Sequence, residues 1–148
     1  MELDLKFEVY SKIKKPINEV FDAVYNPKKL SGYFTTGGAS APLNEGTSVT
    51  WDFADFPGAF PVHVKKVIMN EQIVLEWANN EGRNNRVEMN FEALGPNSTL
   101  VKIRESGWGK MEQKSLDASY GNCMGWTQML LCLKVYVEHG KNLREFLF

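Results

Sequence analysis

The chain has 148 residues, with 17 lysines and arginines against 18 aspartates and glutamates and a formal net charge of -1. That length suffices to bury the core of one domain spanning residues 1–148, and a balanced charge without a basic run excludes nucleic-acid binding through a basic patch. Nothing approaches the ~20 consecutive apolar residues of a membrane span, and the opening MELDLKFEVY brings in acidic groups at once, where a secretory leader needs an apolar stretch. A cytoplasmic location is expected.

Along the chain, LDLKFEVYSKI alternates, with Leu5, Phe7, Val9, Ser11 and Ile13 on one side, and reads as a half-buried strand. Pro16 opens a short helix in which Ile17, Val20, Phe21 and Val24 recur at helical spacing until Asn26-Pro27. Lys28 to Phe34 has room for one or two further turns, and TTGGASAPLNEG is loop with at most a very short strand. A meander of strands follows. Val49, Trp51 and Phe53 share a face, ADFPGAFP reads as the turn, and VHVKKVIM is a strand whose period slips at Lys65-Lys66, the mark of a bulge. Ile73, Leu75 and Trp77 point one way in IVLEW, NNEGRNN is a polar turn, and RVEMNFEAL turns Val87, Met89, Phe91 and Ala93 inward. After the turn GPNS, the strand TLVKIRES places Val101, Ile103 and Glu105 on one face.

The long helical pattern is GWTQMLLCLKVYVEHG, Gly125 to Gly140. Trp126, Met129, Leu130, Leu133 and Val137 form its core stripe, extended backwards by Ser119 and Cys123, and Gly140 supplies the stop. The opposite face carries Met124, Leu131 and Val135, so the helix is apolar nearly all round. Such a face is covered by the chain's own N-terminal segments, the first expectation, or by a second copy in a homodimer. Cys123 and Cys132 lie nine positions apart, about 13 Å along the axis, and read as small buried or half-buried apolar residues rather than a disulfide.

One strand, two short helices, a run of antiparallel strands and a long last helix make an α+β arrangement, with helices gathered on one face of the sheet. A helix lying across a curved sheet leaves space between the two. The aromatic residues Tyr33, Phe34, Trp51, Phe53, Trp77, Trp108 and Trp126 then either line a pocket for a flat or oily ligand or fill the core, and Met129 and Leu130 face the same space from the helix.

The stretches IKKPINEVFDAVYNPKKLSGYF, STLVKIRESG and GWTQMLLCLKVYVEHG resemble the domain of activators of the heat-shock protein 90 ATPase, in its stand-alone bacterial form. That family belongs to the helix-grip (SRPBCC) superfamily, with START lipid-transfer domains, polyketide cyclases and the birch pollen allergen. The resemblance covers nearly the whole chain. Its most specific part is the Gly125-Trp126 opening with Leu130, Leu133, Tyr136 and Gly140 after it. It implies a helix-grip fold, a curved antiparallel sheet around a long C-terminal helix, whose cavity serves binding, transport or occasional catalysis. It implies no shared catalytic residue. The eukaryotic activators add a separate chaperone-binding domain that this chain has no length to contain, so a chaperone partner is not expected.

Glu105 is the residue whose chemistry matters most. Alternation turns its carboxylate inward beside Ile103, as a polar anchor or general base at one end of the cavity, unless the strand ends there and the group meets water. His63 reads as a solvated outer-face residue, and two histidines without acidic partners at ligand spacing give no metal site. No GxSxG elbow or phosphate-cradling glycine loop is present, so neither a nucleophile nor a cofactor is implied. The leading expectation is a non-enzymatic module binding a small hydrophobic or aromatic molecule, with Tyr33 as a further polar anchor. The alternatives are a cyclase-like or hydrolase-like enzyme on an aromatic or polyketide substrate, and an interaction protein working through Met124, Leu131 and Val135.

Overall fold

The computed structural model describes residues 4–79 and 82–147. Its elements are β1 (Lys6–Ile13), α1 (Ile17–Tyr25), α2 (Pro27–Leu30), β2 (Gly38–Ala39), β3 (Ser48–Phe53), β4 (Phe56–Ile68), β5 (Gln72–Ala78), β6 (Asn84–Gly95), β7 (Ser98–Ser106) and α3 (Gln113–His139). The seven strands form one antiparallel sheet in the order β1-β7-β6-β5-β4-β3-β2, so the first strand pairs with the last. The sheet wraps around α3.

Local chemistry explains the short helices. α1 buries Val20, Phe21, Ala23 and Val24, the apolar stripe of its sequence, and Pro16 stands at its N-cap. Asn26 then caps α2, its side-chain oxygen accepting the Lys28 N–H at 3.0 Å with Pro27 in the first turn. The alternation read from the strands is also what the sheet uses. One row runs Val64, Leu75, Val87, Glu105 and Phe7 across β4, β5, β6, β7 and β1. Glu105 is the charged member of that apolar row and is wholly buried.

The bulge expected at Lys65-Lys66 is present between Val64 and Lys66. Three expectations need correction. The turn ADFPGAFP shrinks to Ala54-Asp55, because β4 starts at Phe56 and pairs Phe60 with Trp51 and Pro61 with Thr50. This half of β4 has a strand partner on one side only, where proline's missing N–H is tolerated. Ala93 is exposed rather than inward, since β6 runs past the core there and its register with β7 shifts between Ala93 and Gly95. The turn expected at NNEGRNN includes residues 80 and 81, which lie outside the described residues.

The largest correction concerns α3, which begins at Gln113, twelve positions before Gly125 and six before Ser119, to which its stripe extends. Its first half carries serine, glycine and asparagine on the sheet side, so no apolar period announces it; Ser115 and Ser119 are buried there. The second half follows its stripe. Trp126, Met129, Leu130 and Leu133 are buried, and Gly140 ends the helix in the left-handed region at φ 67°, its N–H on the Tyr136 carbonyl at 2.8 Å. The N-terminal segments meet α3 around Tyr136, which packs on Tyr33 at 5.1 Å between ring centres. They do not cover the whole outer face: Met124 and Leu131 remain 58% and 50% exposed, and Val135 is half-buried.

Tyr33 is fully buried and donates its hydroxyl to the Ala23 carbonyl at 3.1 Å. Burial pushes its phenol well above its ordinary range. The unfolded phenol ionises near pH ~10 while the folded one keeps its proton, so the stability this group contributes is whole below that pH and falls as pH rises beyond it. Replacing Tyr33 with Phe is expected to cost about 1 kcal/mol at neutral pH and to flatten part of the alkaline decline. Urea unfolding of both proteins at neutral pH and above pH ~10 checks this; parallel declines would refute it.

Candidate functional site

Between α3 and the β3–β5 side of the sheet lies a cavity of about 830 Å³, open on one side and lined mainly by apolar surface. Its aromatic wall comes from Phe34, Phe53, Phe60, Trp77, Trp108 and Trp126. These rings support one another. Phe34 meets Phe53 edge-on at 5.0 Å and lies 5.7 Å from Trp126, while Trp77 stacks on Trp126 at 5.4 Å and takes Phe60 against its edge at 5.8 Å. The aromatic set, expected either to line a pocket or to fill the core, is divided: Tyr33 and Trp51 are in the core, and the other rings border the cavity.

That space depends on small residues. Ser115, Ala118, Gly121 and Gly125 of α3 face the cavity, and a Cβ added at either glycine would meet nothing within 4 Å. Each glycine inside a helix costs roughly 1 kcal/mol relative to alanine. Two of them on one face, four positions apart, keep the helix from filling the gap.

Glu105 sits behind the wall rather than in it. Its Oε1 accepts from Trp126 Nε1 at 2.7 Å and Asn122 Nδ2 at 3.2 Å; its Oε2 accepts from Asn85 Nδ2 at 2.8 Å, Trp77 Nε1 at 3.0 Å and Asn122 Nδ2 at 3.1 Å. Glu105 has no ion pair among the described residues. Four neutral N–H groups from β5, β6 and α3 solvate the carboxylate in place of water, and all four donors belong to residues that line the cavity. With both oxygens taken up, Glu105 has no acceptor capacity left for a substrate proton. It orients the wall instead of touching what the wall holds.

Of the other residues expected at the site, Phe34, Phe53, Trp77, Trp108 and Trp126 reach the wall, whereas Tyr33, Trp51, Met129 and Leu130 do not. Tyr33 is turned toward Ala23, and Trp51 lies one layer deeper, edge-on to Phe34 and Trp77. Met129 and Leu130 lie where α3 is sealed against the sheet. His63 is half-buried with its Nδ1 2.6 Å from Ser48 Oγ, and burial pushes the Cys132 thiol above its ordinary range. No group of three or more histidine, cysteine, aspartate or glutamate side chains among the described residues is arranged to hold a metal ion.

Sequence reasoning missed Asn85, Asn122, Phe60 and Arg144. Asn85 carried a weak signal, because strand alternation places it in the inward set with Val87 and Met89. Arg144 carried none. Beyond Gly140 the chain folds back, and the Arg144 guanidinium lies 4.6 Å over the Phe53 ring and 5.6 Å from that of Phe34. It also donates to Asp55 Oδ1 through Nε at 3.3 Å and Nη2 at 3.1 Å, straddling one end of the cavity.

With this geometry in view, comparison with known proteins places the fold. The family model described as activator of Hsp90 ATPase homolog 1-like protein matches residues 14–138. The chain belongs to this family. Its sheet wrapped on α3 is the helix-grip arrangement that the sequence resemblance implied. A crystal structure of protein SSP2350 from Staphylococcus saprophyticus superposes with a TM-score of 0.79 at 24% identity, covering 95% of this chain and 96% of that one. DynU16, a protein of the dynemicin biosynthetic locus, gives 0.75 at 25% identity over 92% of this chain and 48% of its own. The Aha1 dimer from Colwellia psychrerythraea gives 0.74 at 21% identity over 93% and 99%. No curated protein sequence matches the chain, and no helix among the described residues is long and apolar enough to cross a membrane.

Glu105→Gln tests the role given to the carboxylate. A glutamine amide offers one oxygen and turns an NH₂ toward N–H donors, leaving at least one buried donor without an acceptor. The variant is expected to lose about 3 kcal/mol of stability by urea unfolding. A loss below about 1 kcal/mol would show that the four donors do not depend on the charge.

Proposed function

We propose that this member of the activator of Hsp90 ATPase homolog 1-like family binds a small hydrophobic or aromatic molecule in the cavity between α3 and the sheet, and does so without transforming it. The observation that carries the reading is the pair of cavity-facing glycines, Gly121 and Gly125, which keep a gap open beside a wall of aromatic rings. An enzymatic reading would have to use the lining Asp55 or Lys114, of which Asp55 is held by Arg144 at one end of the cavity, since the buried Glu105 has both oxygens occupied by Trp77, Asn85, Asn122 and Trp126. The likeness to DynU16, a protein of a biosynthetic locus that is covered over 48% of its chain, accords with a small-molecule ligand.

Gly125→Phe puts a ring into the gap while also improving helix propensity. Titration with the neutral fluorophore phenylnaphthylamine is expected to show binding by the natural protein and at least tenfold weaker binding by Gly125→Phe, with a thermal midpoint no lower than the parent's. Equal binding by both would place the fluorophore elsewhere and remove the support for this site.

We also propose that the outer face of α3 joins two copies of the chain through Met124, Leu131 and Val135. Met124, which also reaches the cavity lining, and Leu131 stand exposed one heptad apart, and a protein of similar fold, Aha1 from Colwellia psychrerythraea, is a dimer in solution. Light scattering coupled to size exclusion is expected to give twice the chain mass for the natural protein and the single mass for Leu131→Asp. A natural protein that runs as a monomer at high concentration would overturn this reading.

A further inference from the structure

A carboxylate accepts hydrogen bonds and donates none, so every amide that touches Glu105 must present its nitrogen to it. This settles the orientation of two asparagines at the cavity wall. Asn85 gives Nδ2 to Glu105 Oε2 at 2.8 Å, which turns its Oδ1 away, and that oxygen accepts from Asn79 Nδ2 at 2.9 Å. Asn79 Oδ1 in turn accepts from the Arg83 backbone N–H at 3.1 Å. Along this branch every acceptor is answered by protein.

The other branch ends differently. Asn122 gives the same Nδ2 to both oxygens of Glu105, at 3.2 and 3.1 Å, so its Oδ1 must point away from the carboxylate. That oxygen accepts from no group among the described residues. Nor is it one of the sealed polar atoms, which are Trp51 Nε1, Trp108 Nε1 and Gln128 Oε1. Asn122 lines the cavity from α3, beside Trp77 and Trp126. An amide oxygen held in place by a buried charge, not sealed from solvent, and carried by a residue that lines the cavity beside stacked indoles is a fixed acceptor next to a surface for flat rings.

We infer that Asn122 Oδ1 is the cavity's acceptor for a ligand hydroxyl or N–H, and that the cavity therefore prefers aromatic molecules bearing such a donor to the same ring system without one. This rests on the cavity being a ligand site, as proposed above, and adds the chemical class of ligand and the residue that selects it. Because Asn122 cannot rotate its amide without setting an oxygen against the carboxylate, the selection is for donors. A ligand that presents only an acceptor at this point faces an oxygen and gains nothing.

The test compares naphthol with methoxynaphthalene, the same ring system with its hydroxyl hydrogen replaced by a methyl group. Calorimetric or fluorescence titration of the natural protein is expected to show naphthol binding about tenfold more tightly, the worth of a partly buried hydrogen bond. In Asn122→Leu, similar in size and leaving Glu105 the donors of Trp77, Asn85 and Trp126, the ratio is expected to fall to near one. Should that variant fail to fold, side-chain amide NMR of the natural protein decides: the Asn122 Nδ2 signals shift with naphthol and not with the ether. Equal affinity of the natural protein for both probes overturns the inference and leaves the cavity reading standing. Binding of neither overturns both.

Discussion

The buried carboxylate of Glu105 faces no cation among the described residues, and N–H dipoles drawn from three elements answer its charge. Removing a carboxylate from water is costly, and the cost is offset only while Trp77 on β5, Asn85 on β6, and Asn122 and Trp126 on α3 stay within hydrogen-bond reach. The arrangement ties α3 to the sheet at a point where apolar packing alone is thin, since small residues on the helix leave the cavity there. Displacing β5 or β6 takes away one of the four donors and displacing α3 takes away two, so the group restricts the alternatives open to the chain more than it adds to the attraction between its parts.

The two halves of α3 divide the work. From Trp126 to Leu133 the helix buries large side chains and anchors the core, with Met129, Leu130 and Leu133 sealed against the sheet. From Ser115 to Gly125 it presents serine, alanine, glycine and asparagine, with Met124 the one large side chain it adds to the lining, giving up packing and helix propensity to hold a gap. The cavity is thus a consequence of side-chain size along one helix, with the aromatic layer supplying a wall stiff enough not to collapse into it. Arg144, lying across Phe34 and Phe53 and held by Asp55, fastens one end.

How much of this was legible in the sequence follows from how local each signal is. Strand alternation placed Val101, Ile103 and Glu105 on one face, and helical spacing placed Trp126, Leu130 and Leu133, because each pattern lies within one element and reflects burial directly. In the first half of α3 the stripe reached back only through Cys123 to the small residue Ser119, since a helix passing over empty space has no reason to carry large apolar side chains at a regular period. The donors around Glu105 come from positions 17 to 28 residues away. An asparagine at a cavity wall looks, in sequence, like an asparagine in a turn. Phe60 was hidden by its neighbours Pro57, Gly58 and Pro61, which announce a turn where one-sided strand pairing tolerates them. Arg144 lay beyond the helix stop, where only tertiary contact gives a side chain its place.

The stacking of Trp77 on Trp126, with both indole nitrogens bonded to one carboxylate, has an optical consequence. Two indoles 5.4 Å apart at an interplanar angle of 24° couple their electronic transitions, so the pair contributes a signed band to the near-ultraviolet circular dichroism that neither ring gives alone. That band is sensitive to the separation and tilt of the two rings, one on the sheet and one on α3. The protein therefore carries an intrinsic gauge of how far its helix stands from its sheet, readable without a label.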